Sequence, residues 1–495
     1  MRTIPSVLEA ASQSQDDALV DGSVRWTFAQ LADEVRRWSA SVMASGVRPG
    51  DRVAVWAPNS WRFVVAALGA VTAGAVLVPI NTRYKGGEAR WILDKSGAGL
   101  LFVEDGFLDN DYLAMLGNAG DLDIVRLDGD GPAAFRERGN YVDPADVKAR
   151  AEAIGEDDPS DMFFTSGTTG RPKGAITTHG QNVRVYEAWG GGVGLQRGDR
   201  YLVVNPMFHT FGYKAGVLAC LIRQATLISQ PVFDVAESLR LIAEERVTIL
   251  PGPPTLYVSI LDHPARADAE LSSLRIAVTG ASVVPVALVE RMRAELFPQV
   301  IIAYGMTETC GTATVGDPND DAETIATTVG RPIPGTEVEV ADTGEVLVRG
   351  YNVMQGYFDD DDATAAAIDS DGWLHTGDVG ELRADGNLRI TDRLKDMFVV
   401  GGFNVYPAEV EQTIARHDKV SEAAVIGVAD ARMGEVGRAY VIPRPDAEVT
   451  ESEIIEYCRE RLANFKVPRS VRVVDSLPRN ASGKVLKYEL RAQTP

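Results

Sequence analysis

The segment TSGTTGRPKG, Thr165–Gly174, follows the apolar residues Met162–Phe164 and is the strongest signal in the chain. An apolar strand here runs into a loop with three glycines, four hydroxyl side chains and two cations. Glycine lets the backbone approach a phosphate closely, and exposed N–H groups form an anion-binding nest. A surface turn is the alternative, but the density of donors favours a phosphate site. The candidate binding residues are Thr165, Ser166, Gly167, Thr168, Thr169, Gly170 and Lys173.

The loop lacks the spacing of a Walker-type phosphate loop, in which glycine and four further residues precede Gly-Lys-Ser/Thr. Here Gly170 is followed by Arg-Pro-Lys. The pair Gly483-Lys484 is followed by valine and has Pro478 where the first glycine should stand. An ordinary P-loop kinase or ATPase is therefore disfavoured.

Around this loop, short β-branched runs alternate with helical patterns over the first three quarters of the chain. The pattern predicts strands at Arg52–Trp56, Val76–Ile80, Leu100–Val103, Tyr201–Asn205, Ala225–Ser229, Val247–Leu250 and Arg275–Thr279. It predicts helices at Trp61–Ala73, Gly87–Lys95, Val235–Arg246, Leu256–Leu261 and Pro285–Leu296. Such alternation indicates parallel sheets covered by helices, in two runs that correspond to two α/β subdomains.

The pattern changes in the last third of the chain. GEVLVRG at Gly344–Gly350 and GNLRIT at Gly386–Thr391 predict a small barrel or meander. Beyond Pro407 a compact α+β unit is predicted, with elements at Ala408–Arg416, Ala423–Val428, Arg438–Ile442, Glu451–Asn464 and Arg472–Val474. We therefore predict an N-terminal domain over residues 1–393 and a C-terminal domain over 394–495.

Composition limits the partners and the compartment. The net charge of −21 disfavours nucleic acid and anionic membranes as main partners. A local basic cluster nevertheless occurs near the C-terminus, at Arg461, Lys466, Arg469, Arg472, Arg479, Lys484, Lys487 and Arg491. Three cysteines without paired spacing, no secretory signal pattern and no apolar run long enough to span a membrane predict a cytoplasmic protein.

Taken together, the motifs resemble those of the adenylate-forming superfamily of acyl-CoA synthetases, luciferases and adenylation domains. Six motifs occur in the family's order across nearly the whole chain. They are TSGTTGRPKG, YGMTE at Tyr304–Glu308, TGD at Thr376–Asp378, DRLKD at Asp392–Asp396, GGFNVYPAEVE at Gly401–Glu411 and PRNASGK at Pro478–Lys484. The resemblance implies a large α/β N-terminal domain, a small mobile C-terminal domain, and ATP, Mg²⁺ and coenzyme A as cofactor and co-substrates.

The resemblance also implies roles for single residues. Tyr304 stacks on adenine beside Gly305, Thr307 meets the α-phosphate, and Glu308 with Thr165 holds Mg²⁺, whose preferred ligands are oxygens. For the rest of the nucleotide site, the resemblance implies that Gly280, Ala281 and Ser282 lie beside adenine and the acyl group. It implies that Asp378 binds the ribose hydroxyls and that Arg393 contacts ribose or phosphate. Gly401 and Gly402 are implied to line a tunnel for the pantetheine chain of coenzyme A.

Lys484 is the predicted main catalytic side chain. Adenylation brings a carboxylate oxygen to the α-phosphorus and builds negative charge, which a lysine ammonium stabilises. In the family the small domain turns about a hinge, here Lys395, between adenylation and thioester formation. The basic C-terminal residues then contact the phosphates of coenzyme A.

Four segments that extend beyond the shared motifs indicate which carboxylic acid is the substrate. These segments resemble those of a subgroup of bacterial steroid-degradation CoA ligases, which act on the propanoate of the C/D-ring remnant, a methyl-hydrindanedione. These segments begin at Asn205, Leu250, Ala277 and Gly401. His209 is predicted to gate the acyl site, and His209 or Lys214 to offer polar donors to a keto-bearing acid. A medium-chain, long-chain or aromatic acid is the alternative.

Other functions on this fold stay open at this point. They are loading of a carrier protein, a luciferase-like oxygenase, and a catalytically inactive adenylate-binding scaffold. A scaffold predicts loss of a phosphate-loop residue, Glu308, Asp378 or Lys484, and all are present. The oligomeric state, monomer or homodimer, is also open.

Overall fold

The computed structural model describes residues 2–165, 172–280, 284–393, 396–400, 403–430, 432–462, 464–480 and 484–492. For residues 392, 393, 403 and 404 it describes the backbone. Within these ranges the chain forms two large mixed sheets, a small antiparallel sheet and a separate C-terminal sheet. The predicted α/β class is confirmed.

The first large sheet has nine strands, of which the central ones run parallel. In spatial order they are Arg331–Pro332, Thr314–Val315, Gln299–Tyr304, Ile276–Gly280, Ile249–Pro251, Arg200–Val203, Thr226–Ser229, Asp17–Asp21 and Val24–Thr27. The strand Val24–Thr27 and the two short strands at the opposite edge are antiparallel to their neighbours.

The second large sheet has seven strands. In spatial order they are Gly356–Tyr357, Lys173–Thr178, Pro159–Thr165, Val76–Pro79, Arg52–Trp56, Leu100–Val103 and Asp123–Arg126. The strand Lys173–Thr178 runs antiparallel to Pro159–Thr165, which the sequence pattern did not predict. The connection between them is too short for a parallel crossover, which needs about a dozen residues or more.

The two smaller sheets also follow the predicted change of pattern. A four-stranded antiparallel sheet consists of Thr336–Val340, Glu345–Gly350, Leu374–Leu382 and Leu388–Arg393. The C-terminal sheet consists of Phe403–Val405, Phe398–Val400, Gly434–Pro443, Val420–Asp430 and Ser470–Val473. Its apolar core is made entirely of residues from Phe398 onward.

Helices cover both faces of the large sheets. Their bounds are Ile4–Ala11, Phe28–Ala44, Trp61–Thr72, Gly86–Ser96, Tyr112–Leu116, Gly131–Arg138, Pro144–Glu152, His179–Gly192, Thr210–Gly212, Tyr213–Leu218 (a π-helix), Ala219–Arg223, Val235–Glu245, Pro254–Asp262, Val286–Glu295, Ala322–Thr327 and Asp361–Ala367. The C-terminal helices are Pro407–Ala415, Glu451–Arg459 and Lys487–Ala492. None of the helices in the described ranges is long and apolar enough to cross a membrane.

Local chemistry explains how these helices begin and pack. Thr27 caps the helix Phe28–Ala44, because its side chain accepts from Gln30 N–H and the Gln30 side chain accepts from Thr27 N–H. That helix crosses Trp61–Thr72 at Gly69, where a Cβ would lie 2.8 Å from Trp38 Cβ. Glycine is therefore required at this close helix crossing.

One predicted helix is shorter than expected. The pattern indicated a helix over Glu451–Asn464, but it ends at Arg459. Leu462 N–H still donates to Cys458 O, and the chain then leaves the helix so that Val467 packs in the C-terminal core.

Candidate active site

Two strands bracket the glycine-rich loop. We call Pro159–Thr165 and Lys173–Thr178 the loop strands; they pair with Thr165 opposite Lys173. The predicted strand before the loop is confirmed. Both predicted binding residues that lie in the loop strands, Thr165 and Lys173, are therefore held at the same end of the strand pair.

Glu308 lies beside this strand end. It sits in the 3₁₀ turn Thr307–Thr309, four residues after the strand Gln299–Tyr304, and is 7% exposed. Thr165 Oγ1 lies 3.4 Å from Glu308 Oε1. The two residues predicted to hold the metal are thus brought together from positions far apart in the sequence.

Tyr357 is a third member of this group, and sequence reasoning missed it. Its Oη donates to Glu308 Oε1 at 2.8 Å, and Lys173 Nζ lies 5.1 Å from its ring centroid. Burial and the Glu308 charge raise the pKa of Tyr357 well above its usual range, so the hydroxyl is a permanent donor. Met354 N–H also donates to Glu308 O at 2.8 Å, which fixes the backbone of the turn.

Tyr304 and Asp378 form a second contact between predicted nucleotide residues. Tyr304 Oη donates to Asp378 Oδ2 at 2.7 Å, and Asp378 is 3% exposed. Asp378 pairs with Arg393 across neighbouring strands, which brings the Arg393 backbone to the same place. The side chain of Arg393 lies outside the described part of the structure.

Two glycines predicted to lie beside adenine pack against backbone. A Cβ on Gly280 would lie 2.4 Å from Ala303 O, and one on Gly305 would lie 2.4 Å from Gly311 O. Both positions therefore exclude side chains. Thr307, in the turn that carries Glu308, is partly exposed.

His209 and Lys214 have different environments. His209 is an exposed residue, but desolvation of its ring by the surrounding protein lowers the pKa of His209 below its usual range. Its Nδ1 accepts from Phe211 N–H at 3.2 Å, so the neutral ring carries its proton on Nε2. Lys214 is fully buried and paired with Asp161, so the prediction that it offers a donor to the acid is wrong.

The C-terminal unit carries Lys484, which is exposed to solvent. Lys484 N–H donates to Asn480 Oδ1 at 2.8 Å, and Asn480 N–H donates to Lys484 O at 2.9 Å. These two bonds close the base of the Asn480–Lys484 loop.

Most of the basic cluster has carboxylate partners. The pairs are Lys466–Glu409 at 2.6 Å, Lys487–Glu411 at 2.8 Å, Arg491–Asp396 at 3.0 Å, Arg461–Glu460 at 2.8 Å, and Arg479–Glu422. Arg469 and Arg472 are exposed, and no carboxylate of the described residues lies within salt-bridge distance of either. Five of the eight cationic side chains in this cluster are therefore engaged in ion pairs.

Several predicted site residues lie outside the described residues. They are Ser166, Gly167, Thr168, Thr169, Gly170, Ala281, Ser282, Lys395, Gly401 and Gly402. Among the described residues, no group of three or more His, Cys, Asp or Glu side chains is arranged to hold a metal ion.

Comparison with known proteins places this geometry in a family. The family model for the AMP-binding enzyme matches residues 8–358, and the model for the AMP-binding enzyme C-terminal domain matches residues 409–484. A relative from Rhodococcus jostii (strain RHA1), named as a 7a-methyl-1,5-dioxo-octahydro-1H-inden-4-yl propanoyl:CoA ligase, is 52% identical and aligns over 99% of this chain and 98% of its own length.

A protein of the same name from Mycobacterium tuberculosis (strain ATCC 25618 / H37Rv) is 53% identical, with 99% of each chain aligned. The crystal structure of ATP-bound MatB from Rhodopseudomonas palustris superposes with a TM-score of 0.89 at 28% identity, covering 99% of this chain and 98% of that one. The chain belongs to the AMP-binding enzyme family, within its acyl-CoA ligases.

Proposed function

We propose that this ATP-dependent acyl-CoA ligase acts on a propanoate attached to the methyl-hydrindanedione remnant of the steroid C and D rings. The reaction forms an acyl-adenylate and pyrophosphate, and then acyl-CoA and AMP. The observation that carries the choice of acid is the identity of 52% and 53%, over nearly the full chain, to two relatives named for that acid. Such a ligase belongs to steroid catabolism.

The triphosphate of ATP binds between the glycine-rich loop and the Glu308 turn. This is supported by Thr165 and Lys173 at the end of the loop strands and by the Thr165–Glu308 approach of 3.4 Å. Thr307 precedes Glu308 in the turn and supplies a hydroxyl to the α-phosphate. The family resemblance implies that Ser166 and Thr168 also offer hydroxyls to the phosphates.

Mg²⁺ fits the donor set at Glu308. A carboxylate with a nearby hydroxyl, Thr165, offers oxygen ligands and leaves the other coordination positions to phosphate oxygens and water, as Mg²⁺ prefers. Glu308 and Thr165 would hold the ion, which would supply positive charge against the phosphates during adenylation. Tyr357 holds Glu308 Oε1 by donating to it, which orients the carboxylate.

The nucleoside binds at Tyr304 and Asp378. The Tyr304 ring stacks on adenine next to Gly280 and Gly305, whose lack of side chains lets neighbouring backbone pack closely against them. The Tyr304 hydroxyl orients the Asp378 carboxylate, whose oxygens accept from the ribose hydroxyls. Arg393 adds a cation on the neighbouring strand.

Lys484 stabilises the charge that builds when the acid attacks the α-phosphorus. We propose that residues 394–495 move as one body about Lys395, bringing Lys484 in for adenylation and the Gly401-Gly402 segment in for thioester formation. This is supported by the separate apolar core of the C-terminal unit. Arg469 and Arg472, exposed and without described carboxylate partners, are the cations best suited to the coenzyme A phosphates.

His209 faces the acid. Because its neutral ring carries the proton on Nε2, it donates a hydrogen bond, which suits a ketone oxygen of the proposed substrate and not a hydrocarbon chain. The three cysteines, Cys220, Cys310 and Cys458, are free and buried, which supports a reducing cytoplasmic location.

A panel of acids tests the substrate. The enzyme is incubated with ATP, Mg²⁺, coenzyme A and one acid at a time, and the thioester is quantified by mass spectrometry. We expect kcat/KM for the methyl-hydrindanedione propanoate to exceed that for octanoate, palmitate and ferulate by about 100-fold or more. Equal or higher kcat/KM for one of the other acids would assign the enzyme to that acid.

A further inference from the structure

A buried ion pair lies behind the nucleotide site. Lys214 Nζ is 2.8 Å from Asp161 Oδ1, and the two side chains are 0% and 1% exposed. Burial lowers the pKa of Lys214, but the Asp161 charge and hydrogen bonds outweigh it and raise that pKa, so the ammonium stays charged. Burial of two charges is costly unless both are fully satisfied, so the contacts around this pair are informative.

The Lys214 ammonium touches three segments of the site. Besides Asp161 on the first loop strand, it donates to Thr177 Oγ1 on the second loop strand at 2.7 Å. It also lies 3.6 Å from the sulfur of Cys310, two residues after Glu308. One side chain thus connects both loop strands to the turn that carries Glu308.

The rest of the network completes these contacts. Asn182 Nδ2 and Ser160 Oγ donate to Asp161 Oδ2 at 2.6 and 2.9 Å. Cys310 Sγ donates to Asn182 Oδ1 at 3.3 Å, and Tyr186 Oη donates to Cys310 O at 3.0 Å. A buried polar network in which the members are satisfied in this way is rigid and specifies a single arrangement.

The backbone at both ends of the connection is unusual. Cys310 has a φ of +55°, a conformation that non-glycine residues adopt rarely and keep only when their surroundings enforce it. Lys214 lies in the π-helix Tyr213–Leu218, an irregularity often found at functional sites. The network therefore holds the Glu308 turn in a shape that the local sequence does not favour by itself.

We propose that Lys214 is a positioning residue for the triphosphate of ATP: its ammonium fixes the loop strands and the Glu308 turn relative to each other, so that both face the same phosphates. The proposal rests on the proposed function, which puts the β- and γ-phosphates between these two segments. Lys214 is buried and touches no substrate. Its effect is carried through Asp161, Thr177 and Cys310.

Nucleotide binding separates positioning from a general role in folding. In the double variant Lys214→Met/Asp161→Asn neither charge remains unpaired. Calorimetry is carried out with Mg²⁺ and α,β-methylene-ATP, whose methylene bridge prevents cleavage between the α- and β-phosphates. It is compared with calorimetry with AMP, which lacks the β- and γ-phosphates. We expect Kd for the triphosphate to rise about tenfold to 100-fold, as for lost outer-shell partners of a metal site, and Kd for AMP to change less than about threefold.

The control removes a charge from a second ion pair of the large domain, one in which Glu34 is buried and Arg136 is partly exposed. Glu34→Gln acts on the Glu34–Arg136 pair of helix Phe28–Ala44, which contributes no site residue. This variant should bind both nucleotides as the wild type does. Equal weakening of both nucleotides in the double variant, or unchanged triphosphate binding, would overturn the proposal.

A second variant covers failure of the double variant to fold. Thr177→Val keeps the shape of the strand residue but removes the hydroxyl that bonds to both Lys214 and Asp161. We expect a smaller selective loss, about threefold to tenfold, in triphosphate affinity. Unchanged affinity would overturn the proposal, whereas failure of the wild type to bind the triphosphate would contradict the proposed function instead.

Discussion

The two halves of the candidate site are built in opposite ways. In the large domain, Thr165, Glu308 and Tyr357 come from distant parts of the sequence and are joined by short contacts around a carboxylate that is 7% exposed. In the C-terminal unit, Lys484 is exposed on a loop closed by bonds to Asn480. The difference fits the proposal that one half of the site is organised before nucleotide binds, while movement of the C-terminal unit brings the other half to it.

The largest expected effect comes from the C-terminal half of the site, which carries Lys484. Lys484→Ala should lower acid-dependent pyrophosphate release about 10³-fold, because the charge at the α-phosphorus loses its stabilising cation. Thioester formation from supplied acyl-adenylate should stay within about threefold of wild type, since that step does not need the loop. The two rates are measured separately by pyrophosphate release and by mass spectrometry.

The matched control for this variant is Lys148→Ala, which removes an exposed lysine of the large domain that pairs with Glu152. It should change neither rate. An equal loss of both half-reactions in Lys484→Ala would contradict the division of roles between the two halves.

The hinge connects the halves and should give the next largest effect. Lys395→Pro fixes φ at the proposed pivot. We expect the thioester step to slow by roughly tenfold to 100-fold while adenylation changes little, because only the second step requires the turned orientation. Rapid-quench measurement of both steps tests this, and an unchanged thioester rate would rule out rotation about Lys395.

In the half of the site that lies in the large domain, the contact to test is the hydrogen bond from the Tyr357 hydroxyl to Glu308. Tyr357→Phe leaves the ring below Lys173 but takes away the donor to Glu308. The Mg²⁺ concentration needed for half-maximal adenylation should rise about tenfold, as should Kd for Mn²⁺ in the presence of α,β-methylene-ATP, measured by electron paramagnetic resonance.

Tyr351→Phe is the control for this change, because Tyr351 packs its ring against Arg184 and its hydroxyl donates to none of the described site residues. It should leave both values as in the wild type. A Tyr357→Phe enzyme with unaltered metal affinity would show that Glu308 needs no orienting donor.

The smallest effect is expected from a fall in pH, which should lower the stability of the large domain. Burial lowers the pKa of His179 to about 4, whereas an unfolded histidine titrates near 6.5. The unfolded state therefore binds more protons between these values, and stability is lost as the pH falls from about 6.5 toward 4.

Between pH 7 and 5 this loss should be on the order of 2 kcal/mol for the large domain, and His179→Gln should remove it. Denaturant unfolding at several pH values measures the effect. The control is His263→Gln, which changes a residue that caps an exposed turn. If His179→Gln keeps the wild-type dependence of unfolding free energy on pH, another group causes the loss of stability at low pH.

How far the sequence predicts this molecule depends on the kind of residue. Strands such as Arg52–Trp56 and Leu100–Val103 have their predicted bounds, because apolar β-branched runs between helical patterns leave little choice. Thr165, Glu308, Tyr304 and Asp378 stand in motifs, and the structure brings them together in pairs.

Residues whose environment depends on tertiary contacts were harder to predict. Tyr357 stands in a short Gly-Tyr strand without a periodic signal, and its neighbour Glu308 becomes apparent only when the strand pairs beside the loop. From the sequence, Lys214 looks like a polar residue in a helix that lines the pocket. In the structure it is buried, because it forms an ion pair with Asp161, 53 positions earlier in the sequence. Sequence spacing carries no information on such a pair.

A single-turnover experiment tests the central claim most directly. Enzyme in excess is mixed with ATP, Mg²⁺ and the methyl-hydrindanedione propanoate without coenzyme A, and the products are identified by mass spectrometry. The account predicts one equivalent of pyrophosphate and of enzyme-bound acyl-adenylate, which coenzyme A then converts to the thioester and AMP. Formation of ADP and phosphate, or thioester formation without an adenylate, would contradict it.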